Sequence, residues 1–473
     1  SSSSGGRMPE TVDEVRSARL APPALGGSGS AGGLLKVLGV LFGITMIVGN
    51  TIGSGILRTP GEVAARLPSP AWFLGVWIAG ALYSAAGAMT MAELAAMLPR
   101  SGGQYVYARR ALGEYAGFVI GWTDWISSAA AIAAGAIALG ELTNLLWPTL
   151  GISNTLVAVT VSLVFGIVHW IGVKSGDVST QVLGFIKIAT LFAVAMACLT
   201  APPLATTGRA TAAFPTGVAL SGALVLAFQS VLYTYDGWTG MTYFGGEVRD
   251  LKRVARAMAF GVLSVGVVYV ALNAAFLHSL GIAALAGEKF AARTAAVGIF
   301  GDIGDRVVSA VMAVSILGNV SAITMLTCRV PFAMAEDGLL PRAVARVNRR
   351  GTPDVSLTAS VAVVLILIAT GTFASVIALA AFFYVMQYAV SFASLFVLRV
   401  REPDLPRPYR AWGYPVIPAI VLLGATAFVV GSFFGDRANS IRSVLVLLAS
   451  YPVYRVATRL RNRRRPASPA PAV

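Results

Sequence analysis

The segment at residues 49–55 reads GNTIGSG and lies inside an apolar run that extends from residue 34 to residue 57. An apolar run of this length is long enough to cross a bilayer as a helix. Glycine costs roughly 1 kcal/mol against alanine in a helix interior, and unpaired backbone in hydrocarbon costs several kcal/mol per group. An interruption at this depth therefore predicts that residues 49–55 line something polar.

The composition of the chain is that of a multi-span membrane protein. Its 473 residues are 56% hydrophobic and only 12% charged, whereas soluble domains carry about 25% charged residues. Stretches of about 20 apolar residues match the hydrocarbon thickness of a bilayer. We expect an all-α integral membrane protein with twelve spans, at about 34–57, 70–97, 115–144, 153–172, 178–200, 217–244, 257–280, 306–333, 355–373, 375–399, 412–434 and 440–459.

The 36 Lys and Arg residues fall unevenly on the two sides that these spans define. Most lie in the tails and in alternate loops, which is the pattern that the positive-inside rule predicts for cytoplasmic segments. We therefore expect a disordered cytoplasmic N-terminal tail at 1–33, a cytoplasmic tail at 460–473, and insertion in the cell (inner) membrane without a signal peptide. Because topology explains the net charge of +15, binding to nucleic acid is not expected.

A second interruption lies in span 6, where residues 233–240 read YTYDGWTG. An aspartate near mid-membrane is costly and usually faces a protein interior or a water-filled cavity. The two breaks are five spans apart, and because five is odd, a second block of five spans would start from the opposite membrane face. Matching interruptions in two inverted repeats are typical of a transporter's central site. Half-helix N-termini attract an anion while unwound carbonyls face a cation, which favours a zwitterion as the ligand.

Four segments resemble the amino acid–polyamine–organocation permeases. They are GNTIGSGILRTP at 49–60, AELAAMLPRSGGQYVYARRALG at 92–113, YDGWTGMTYFGGEVRDLKR at 235–253 and CRVPFAMAEDGLLPRAVARVNRRGTP at 328–353. The third segment is similar to the L-amino-acid transporter branch. The resemblance implies the LeuT-type fold, a five-plus-five inverted repeat of 12 transmembrane helices with spans 1 and 6 broken. The transporter domain would occupy 34–459, with repeat one at 34–200, repeat two at 217–399, and spans 11 and 12 at 412–459.

The same resemblance implies a substrate site at the two interruptions. The backbone N–H groups of Ser54 and Gly55 would hold the carboxylate of an amino acid, and the carbonyls of Thr51, Tyr233 and Thr234 would face its α-amino group. Tyr233 would also form an aromatic gate over the substrate. Gly53 and Gly55 are expected to provide close approach and positive φ angles. The expected substrate-binding residues are Thr51, Ile52, Gly53, Ser54, Gly55, Tyr233, Thr234 and Asp236.

Two aspartates lie within the predicted spans, and the sequence does not settle the role of either. Asp236 is expected either to cap the N-terminus of the second half of span 6 or to contact the substrate directly, and both alternatives stay open. Asp124, in the GWTDWIS segment of span 3, needs a partner that the sequence does not identify.

Lys187 lies near mid-depth of span 5, where a charged residue is functional by default, although snorkelling to the interface is the alternative. By resemblance, relatives without sodium coupling place a span-5 lysine where sodium-driven members bind an ion between spans 1 and 8. Its ammonium would contact carbonyls around Gly49 and Ile52, with Asn319 and Ser321 of span 8 as partners. We therefore expect sodium-independent transport.

The leading interpretation is a secondary active transporter of amino acids, above all neutral L-amino acids, that works by exchange or proton symport through alternating access. The alternatives are a cationic amino acid or polyamine transporter and a non-transporting amino acid sensor on the same scaffold. The sequence has no nucleophile–base pattern or metal-ligand spacing, so enzymatic activity, a cofactor and a metal are not expected. Eukaryotic members of the branch that the third segment resembles can be disulfide-linked to a heavy subunit through a cysteine in the span 3–4 loop. Here the loop at 145–153 contains no cysteine, so the resemblance implies no disulfide-linked heavy subunit.

Overall fold

The computed structural model describes residues 47–100, 102–171, 176–204, 213–247, 251–349 and 352–463. Within these ranges the regular structure is helical, and no strand is present. The predicted N-terminal tail, residues 34–46 of predicted span 1, and residues 464–473 of the predicted C-terminal tail lie outside the described residues, while residues 460–463 of that tail belong to the last helix. The α-helices, in chain order, are α1 (Ser54–Arg66), α2 (Pro70–Met97), α3 (Gln104–Leu112), α4 (Glu114–Leu146), α5 (Asn154–Ile171), α6 (Gly176–Thr200), α7 (Gly217–Tyr235), α8 (Leu251–Leu285), α9 (Ala291–Thr327), α10 (Arg329–Glu336), α11 (Asp354–Thr370), α12 (Phe373–Arg401), α13 (Val416–Gly435) and α14 (Arg437–Arg463).

Eight helical segments of the described chain are long and apolar enough to cross a bilayer. They are Pro70–Met97, Glu114–Leu146, Asn154–Ile171, Gly217–Tyr235, Ala257–Leu285, Ala291–Glu336, Phe373–Arg401 and Val416–Gly435. Two shorter apolar helices, Ile188–Thr200 and Asp354–Thr370, accompany them. The predicted class, an all-α protein with several membrane spans, is confirmed, while the count of twelve stays a prediction.

Helix α4 lies at the centre of the bundle. It packs against α3, α5, α9, α11 and α12, and every residue from Ala129 to Ala138 is buried. These residues are almost all alanine, isoleucine and glycine, and small side chains let helices approach closely in a membrane, where van der Waals packing drives association. Helix α5 lies further out and exposes large apolar side chains such as Ile167 and Trp170. A bilayer would cover this outer surface.

Helices from the first half of the chain pack on helices from the second half. Helix α1 packs on α7, α2 on α8, α4 on α9 and α5 on α11. The contact between α1 and α7 is formed by the segments that flank the two sequence interruptions. This pairing therefore brings the two interruptions together near the middle of the bundle.

Helix α7 ends earlier than the apolar pattern of span 6 predicts. After Tyr235, Asp236 has an extended backbone with φ −64° and ψ 157°, and Gly237 has a φ of 117°. The chain then continues as a 3-10 helix at Trp238–Glu247. Because a φ near 117° disfavours any side chain with a Cβ, Gly237 allows the sharp change of direction at this point.

Ion pairs fasten both ends of α4. Near its last turns, Glu141 Oε2 lies 3.1 Å from Arg58 Nε of α1. At its first residue, Glu114 pairs with Arg461 of α14 at 2.6 Å. An α-helix rises 1.5 Å per residue, so these two ion pairs lie roughly 40 Å apart along the helix axis. They therefore belong to opposite faces of the bundle.

The segments 92–113 and 328–353, which carry the family resemblance, contact each other at one of these faces. Tyr105 donates a hydrogen bond to Asp337 at 2.7 Å, and Arg109 and Arg100 lie 2.6 and 3.4 Å from the same carboxylate. Burial alone would raise the pKa of Asp337, but the hydrogen bond and the two arginine charges outweigh it and lower the pKa below its usual range. This cluster joins α3 to the end of α10.

Candidate functional site

The two interrupted segments lie in direct contact. Residues 47–51 are helical, residues 52–53 are not, and α1 then begins at Ser54. Gly237 packs against the end of the helical residues 47–51. A Cβ built on Gly237 would lie only 2.8 Å from the backbone nitrogen of Thr51. The side-chain amide of Asn50 donates a hydrogen bond to the Gly237 carbonyl at 3.3 Å. The break after α7 thus touches the break before α1.

A polar cavity of about 60 Å³ lies at this contact. One buried water requires roughly 10–15 Å³ on the same measure, so the cavity has room for a small polar solute. Its lining residues are Asn50, Thr51, Gly53, Gly55, Gln104, Ser128, Ala131, Tyr233, Thr234, Asp236, Gly237, Thr239, Tyr243, Asn319, Ile323, Leu326, Val330 and Tyr384.

Three side-chain oxygens at this cavity have no hydrogen-bond partner in the described structure. They are Oδ1 of Asn50, Oγ1 of Thr51 and Oδ1 of Asn319. A buried acceptor without a donor costs about 1–3 kcal/mol, so three of them around one cavity indicate that a ligand supplies the donors. An ammonium group carries three N–H donors and no acceptor. The oxygens therefore suit a primary ammonium.

The N-terminus of α1 adds an anion-binding element to the same cavity. This helix has no side-chain cap and no acidic residue in its first turn. The first N–H groups of a helix lack intrahelical partners, and together with the helix dipole they attract an anion such as a carboxylate. Gly53 and Gly55 line the cavity at this end. Groups that suit an anion and groups that suit a cation therefore adjoin each other at this cavity.

The expectation of positive φ angles at Gly53 and Gly55 is wrong. Gly53 has a φ of −133°, and Gly55 lies within α1; neither is among the glycines with positive φ. The expected close approach is present instead. A Cβ at Gly55 would lie 2.9 Å from Thr234 Oγ1, and a Cβ at Gly53 would lie 2.4 Å from Asn319 Nδ2. Gly55 faces the backbone of α7 at Thr234 Cα, so a larger residue has no room there, whereas a side chain at Gly53 would displace the end of the Asn319 side chain of α9.

Two of the carbonyls expected to face an α-amino group already accept one hydrogen bond. The Tyr269 hydroxyl donates to the Thr51 carbonyl at 2.8 Å, and the N–H of Asp236 donates to the Tyr233 carbonyl at 3.2 Å. A carbonyl oxygen has two lone pairs, so each can accept a second bond. The Thr234 hydroxyl is turned toward Thr59, at 3.0 Å. The side-chain oxygens are thus the freer acceptors of this cavity.

The structure brings most of the expected site residues to one cavity. Those that line it are Thr51, Gly53, Gly55, Tyr233, Thr234, Asp236 and Asn319.

Other expected residues lie elsewhere. Ile52 lines a second, smaller cavity between α1, α6 and α9, and the Ser321 hydroxyl lies 3.1 Å from His169 Nε2 of α5. The backbone of Lys187 is part of α6, but its side chain and that of Ser54 are outside the described parts of the structure. The roles expected of Ile52, Ser54, Lys187 and Ser321 stay predictions.

The Asp236 carboxylate accepts a hydrogen bond from the Tyr388 hydroxyl of α12. In the described structure, no hydrogen bond joins this carboxylate to an amide of residues 238–240, which an N-cap would make. The side chain instead lines the cavity. A direct influence on the ligand is therefore the role that its position favours.

Several lining residues were not predicted from the sequence, namely Gln104, Ser128, Tyr243 and Tyr384, and Asn50 was predicted only as part of the 49–55 segment. Asn50 belongs to the GNTIGSG segment, and the polarity of that segment was the available signal. Tyr384 lies in an aromatic run at 382–384 that is typical of helix packing, so its sequence context favours a different role. The missing partner of Asp124 is Tyr243, whose hydroxyl oxygen lies 2.7 Å from both carboxylate oxygens.

The geometry defines a class: a multi-pass membrane protein with a small cavity where two sequence interruptions meet near the middle of its bundle. A family model described as amino acid permease matches residues 38–453. The chain therefore belongs to the amino acid permease family, which confirms the resemblance found in its motifs.

Curated relatives cover nearly the whole chain. It is 32% identical over 440 residues to the serine/threonine exchanger SteT of Bacillus subtilis (strain 168), an alignment that covers 89% of this chain and 97% of the relative. It is 27% identical over 450 residues to the large neutral amino acids transporter small subunit 2 of Homo sapiens, covering 92% and 82%. It is 26% identical over 434 residues to the Asc-type amino acid transporter 1 of Mus musculus, covering 89% and 81%.

Proposed function

We propose that this chain is a secondary transporter that exchanges neutral L-amino acids across the cell membrane. The observation that carries this proposal is the cavity where the two interruptions meet. Unpaired oxygens of Asn50, Thr51 and Asn319 suit an ammonium, and the uncapped N-terminus of α1 suits a carboxylate. An amino acid carries both groups on one carbon atom. The names of the three relatives, a serine/threonine exchanger and two amino acid transporters, support the same substrate class.

The proposed architecture is the LeuT-type five-plus-five inverted repeat with twelve spans, of which spans 1 and 6 are broken. The pairing of α1 with α7, α2 with α8, α4 with α9 and α5 with α11 supports it, because each first-half helix packs on its counterpart five spans later. The distribution of Lys and Arg supports cytoplasmic termini and insertion in the cell membrane. The face that carries Arg109 and Asp337 is then cytoplasmic, and the face that carries Arg58 and Glu141 is extracellular.

Alternating access requires a barrier on each side of the substrate. The pair of Arg58 and Glu141 holds α1 against α4 on the extracellular side, and the Gly287 N–H donates to the Gly61 carbonyl at 2.8 Å in the same region. On the cytoplasmic side, Asp337 gathers Arg100, Arg109 and Tyr105 around one carboxylate. Separation of one barrier at a time would expose the cavity to one side at a time.

A cationic amino acid or a polyamine is the second candidate substrate class. The carboxylate of Asp236 lines the cavity and could pair with a second positive charge. Transport of lysine or putrescine that is lost in Asp236→Asn, while neutral substrates survive, would favour this candidate. A sensor on the same scaffold would bind an amino acid without moving it.

Purified protein in liposomes separates these functions. Liposomes loaded with unlabelled L-serine would be diluted into labelled L-serine, L-leucine, L-lysine or putrescine, with either sodium or choline outside. We expect uptake of the neutral amino acids, stimulated by internal L-serine and equal in both salts. Uptake of only lysine or putrescine would contradict the neutral class, and a sodium requirement would contradict sodium independence. Uptake into liposomes that contain no amino acid, when a pH gradient drives it, would indicate proton symport instead of exchange.

A further inference from the structure

A cluster of ionisable side chains lies beside the cavity and is not required by the proposed exchange of zwitterions. Four tyrosines and two aspartates line the cavity or are hydrogen-bonded to a residue that lines it. They are Asp124 of α4, Tyr233 of α7, Asp236, Tyr243 of the 3-10 helix, and Tyr384 and Tyr388 of α12. Only the two aspartates of this cluster can carry a full negative charge near neutral pH.

Each carboxylate is held by a neutral donor. Asp124 is 1% exposed, and the Tyr243 hydroxyl lies 2.7 Å from both of its oxygens. Asp236 accepts from the Tyr388 hydroxyl. Hydrogen bonds of this kind orient a carboxylate, but they do not neutralise its charge. Two ionised carboxylates within one buried cluster repel each other, and each loses hydration.

The described cations around this cluster are engaged elsewhere. On α3, Arg109 pairs with Asp337 and Arg110 with Glu402. On α1, Arg58 pairs with Glu62 and Glu141.

On α5, the ring of His169 lies 3.1 Å from the Ser321 hydroxyl. Among the described side chains, none of the Lys, Arg or His residues contacts Asp124 or Asp236. Within the described structure, a group that enters the cavity is therefore the available counter-charge for this pair.

Resting on the proposed function, we propose that Asp124 and Asp236 hold one proton between them while the cavity is empty, and that the ammonium of an incoming amino acid replaces this proton. On binding, the O–H bond of the carboxylic acid breaks, the proton leaves to water in the cavity, and the positive charge of the ammonium then balances the new carboxylate. Asp236 lines the cavity itself, and Asp124 reaches it through the hydroxyl of Tyr243, which also lines it. Substrate binding and proton binding thus oppose each other.

The test measures protons released on binding. Detergent-purified protein in weakly buffered solution containing a pH-indicator dye would be mixed with saturating L-serine, and bound serine would be measured by calorimetry in parallel. We expect about one proton released per bound serine in the wild type, and much less in Asp124→Asn and in Asp236→Asn. The matched control is Asp302→Asn, because Asp302 is exposed and lies outside the cluster; it should release as many protons as the wild type.

A second measurement on the wild-type protein does not depend on the variants folding. Serine itself stays zwitterionic between about pH 5 and pH 8, so its affinity should fall on acidification only if protons compete with it, by up to about tenfold per pH unit. Serine binding without proton release and with a Kd that is constant over this range would overturn the proton site and leave the proposed function intact. Failure of all neutral amino acids to bind would instead contradict the proposed function on which the inference rests.

Discussion

Two glycines of the GNTIGSG segment face different surroundings. A Cβ at Gly55 would lie 2.9 Å from Thr234 Oγ1 and 3.0 Å from Thr234 Cα, whereas a Cβ at Gly49 would meet no atom within 4 Å. We expect Gly55→Val to abolish transport and to lower the melting temperature, because the added carbons would force α1 away from α7. Overpacking of this kind costs about 1–3 kcal/mol. Liposome exchange and thermal unfolding in one detergent would measure both effects.

Gly49→Ala is the matched control for this substitution. It lies in the helical residues before the break, where alanine is favoured over glycine by about 1 kcal/mol. We expect exchange close to the wild-type rate. Full activity in Gly55→Val, or equal losses in both variants, would show that contact with Thr234 is not the reason for glycine at position 55.

Asn319 is the residue whose contribution to substrate binding can best be measured apart from its contribution to folding. Its Oδ1 lines the cavity without a partner in the described structure. If this oxygen accepts a hydrogen bond from the substrate ammonium, Asn319→Ala should raise the KM for L-serine about tenfold, since a hydrogen bond to a charged group contributes about 1.5–3 kcal/mol.

Ser321 provides the control on the same helix, because its hydroxyl contacts His169 rather than the cavity. We expect Ser321→Ala to leave the KM unchanged. An unchanged KM in Asn319→Ala would remove this residue from the substrate site.

The elements show which signals a sequence carries and which it does not. The span predicted at 70–97 coincides with α2, because Pro70 opens the helix and the apolar residues continue to its end. The span predicted at 217–244 instead ends as an α-helix at Tyr235. Hydropathy continues through Trp238 and the following residues, but the backbone turns at Asp236 and Gly237. Composition therefore locates spans well and locates their ends poorly.

The cluster around Asp337 makes the junction of α3 and α10 sensitive to pH. Because the folded-state pKa of Asp337 is lowered, its ionised form stabilises the fold above the ordinary aspartate pKa of about 3.9, and this contribution is lost as the pH falls further. At neutral pH we expect Asp337→Asn to unfold at a lower temperature than the wild type. The difference should shrink below about pH 4, where the wild-type carboxylate becomes protonated.

Asp302→Asn serves as the comparison in the same melting experiment. Asp302 is exposed and has no ion pair in the described structure, so its replacement should leave the melting temperature unchanged at every pH. A stability difference for Asp337→Asn that persists undiminished into acid would contradict an electrostatic role for its carboxylate.

At the scale of the whole molecule, motif order identifies the family, whereas the lining of the cavity depends on contacts that no single segment encodes. Asn50 meets Gly237, and Tyr243 meets Asp124, across separations of more than a hundred residues. Hydrophobic periodicity says that such residues lie in or near a helix, but it does not say which neighbour they face. The glycine breaks and Asp236 were predictable because they violate the local pattern of their spans. Gln104 and Ser128 violate no pattern, and only the packed helices reveal their position.

Lys187 is the residue that we expect to make transport independent of sodium. A fixed ammonium between spans 1 and 8 would take the place of a sodium ion, so we expect wild-type exchange to be the same in sodium and in choline. Lys187→Ala should impair exchange severely, because it removes the charge that braces span 1. Lys289→Ala, at an exposed lysine 4.0 Å from Glu141, should stay close to the wild-type rate. A sodium requirement in the wild type, or full activity in Lys187→Ala, would contradict this role.

The central claim is that one cavity binds both the ammonium and the carboxylate of an amino acid during exchange. Liposomes containing the protein would be loaded with equal concentrations of unlabelled L-serine, ethanolamine or glycerate, and the uptake of labelled L-serine would be measured. Ethanolamine lacks the carboxylate, and glycerate has a hydroxyl in place of the ammonium. We predict that only internal L-serine stimulates uptake. Equal stimulation by either analogue would show that the cavity does not require both charges and would contradict the account.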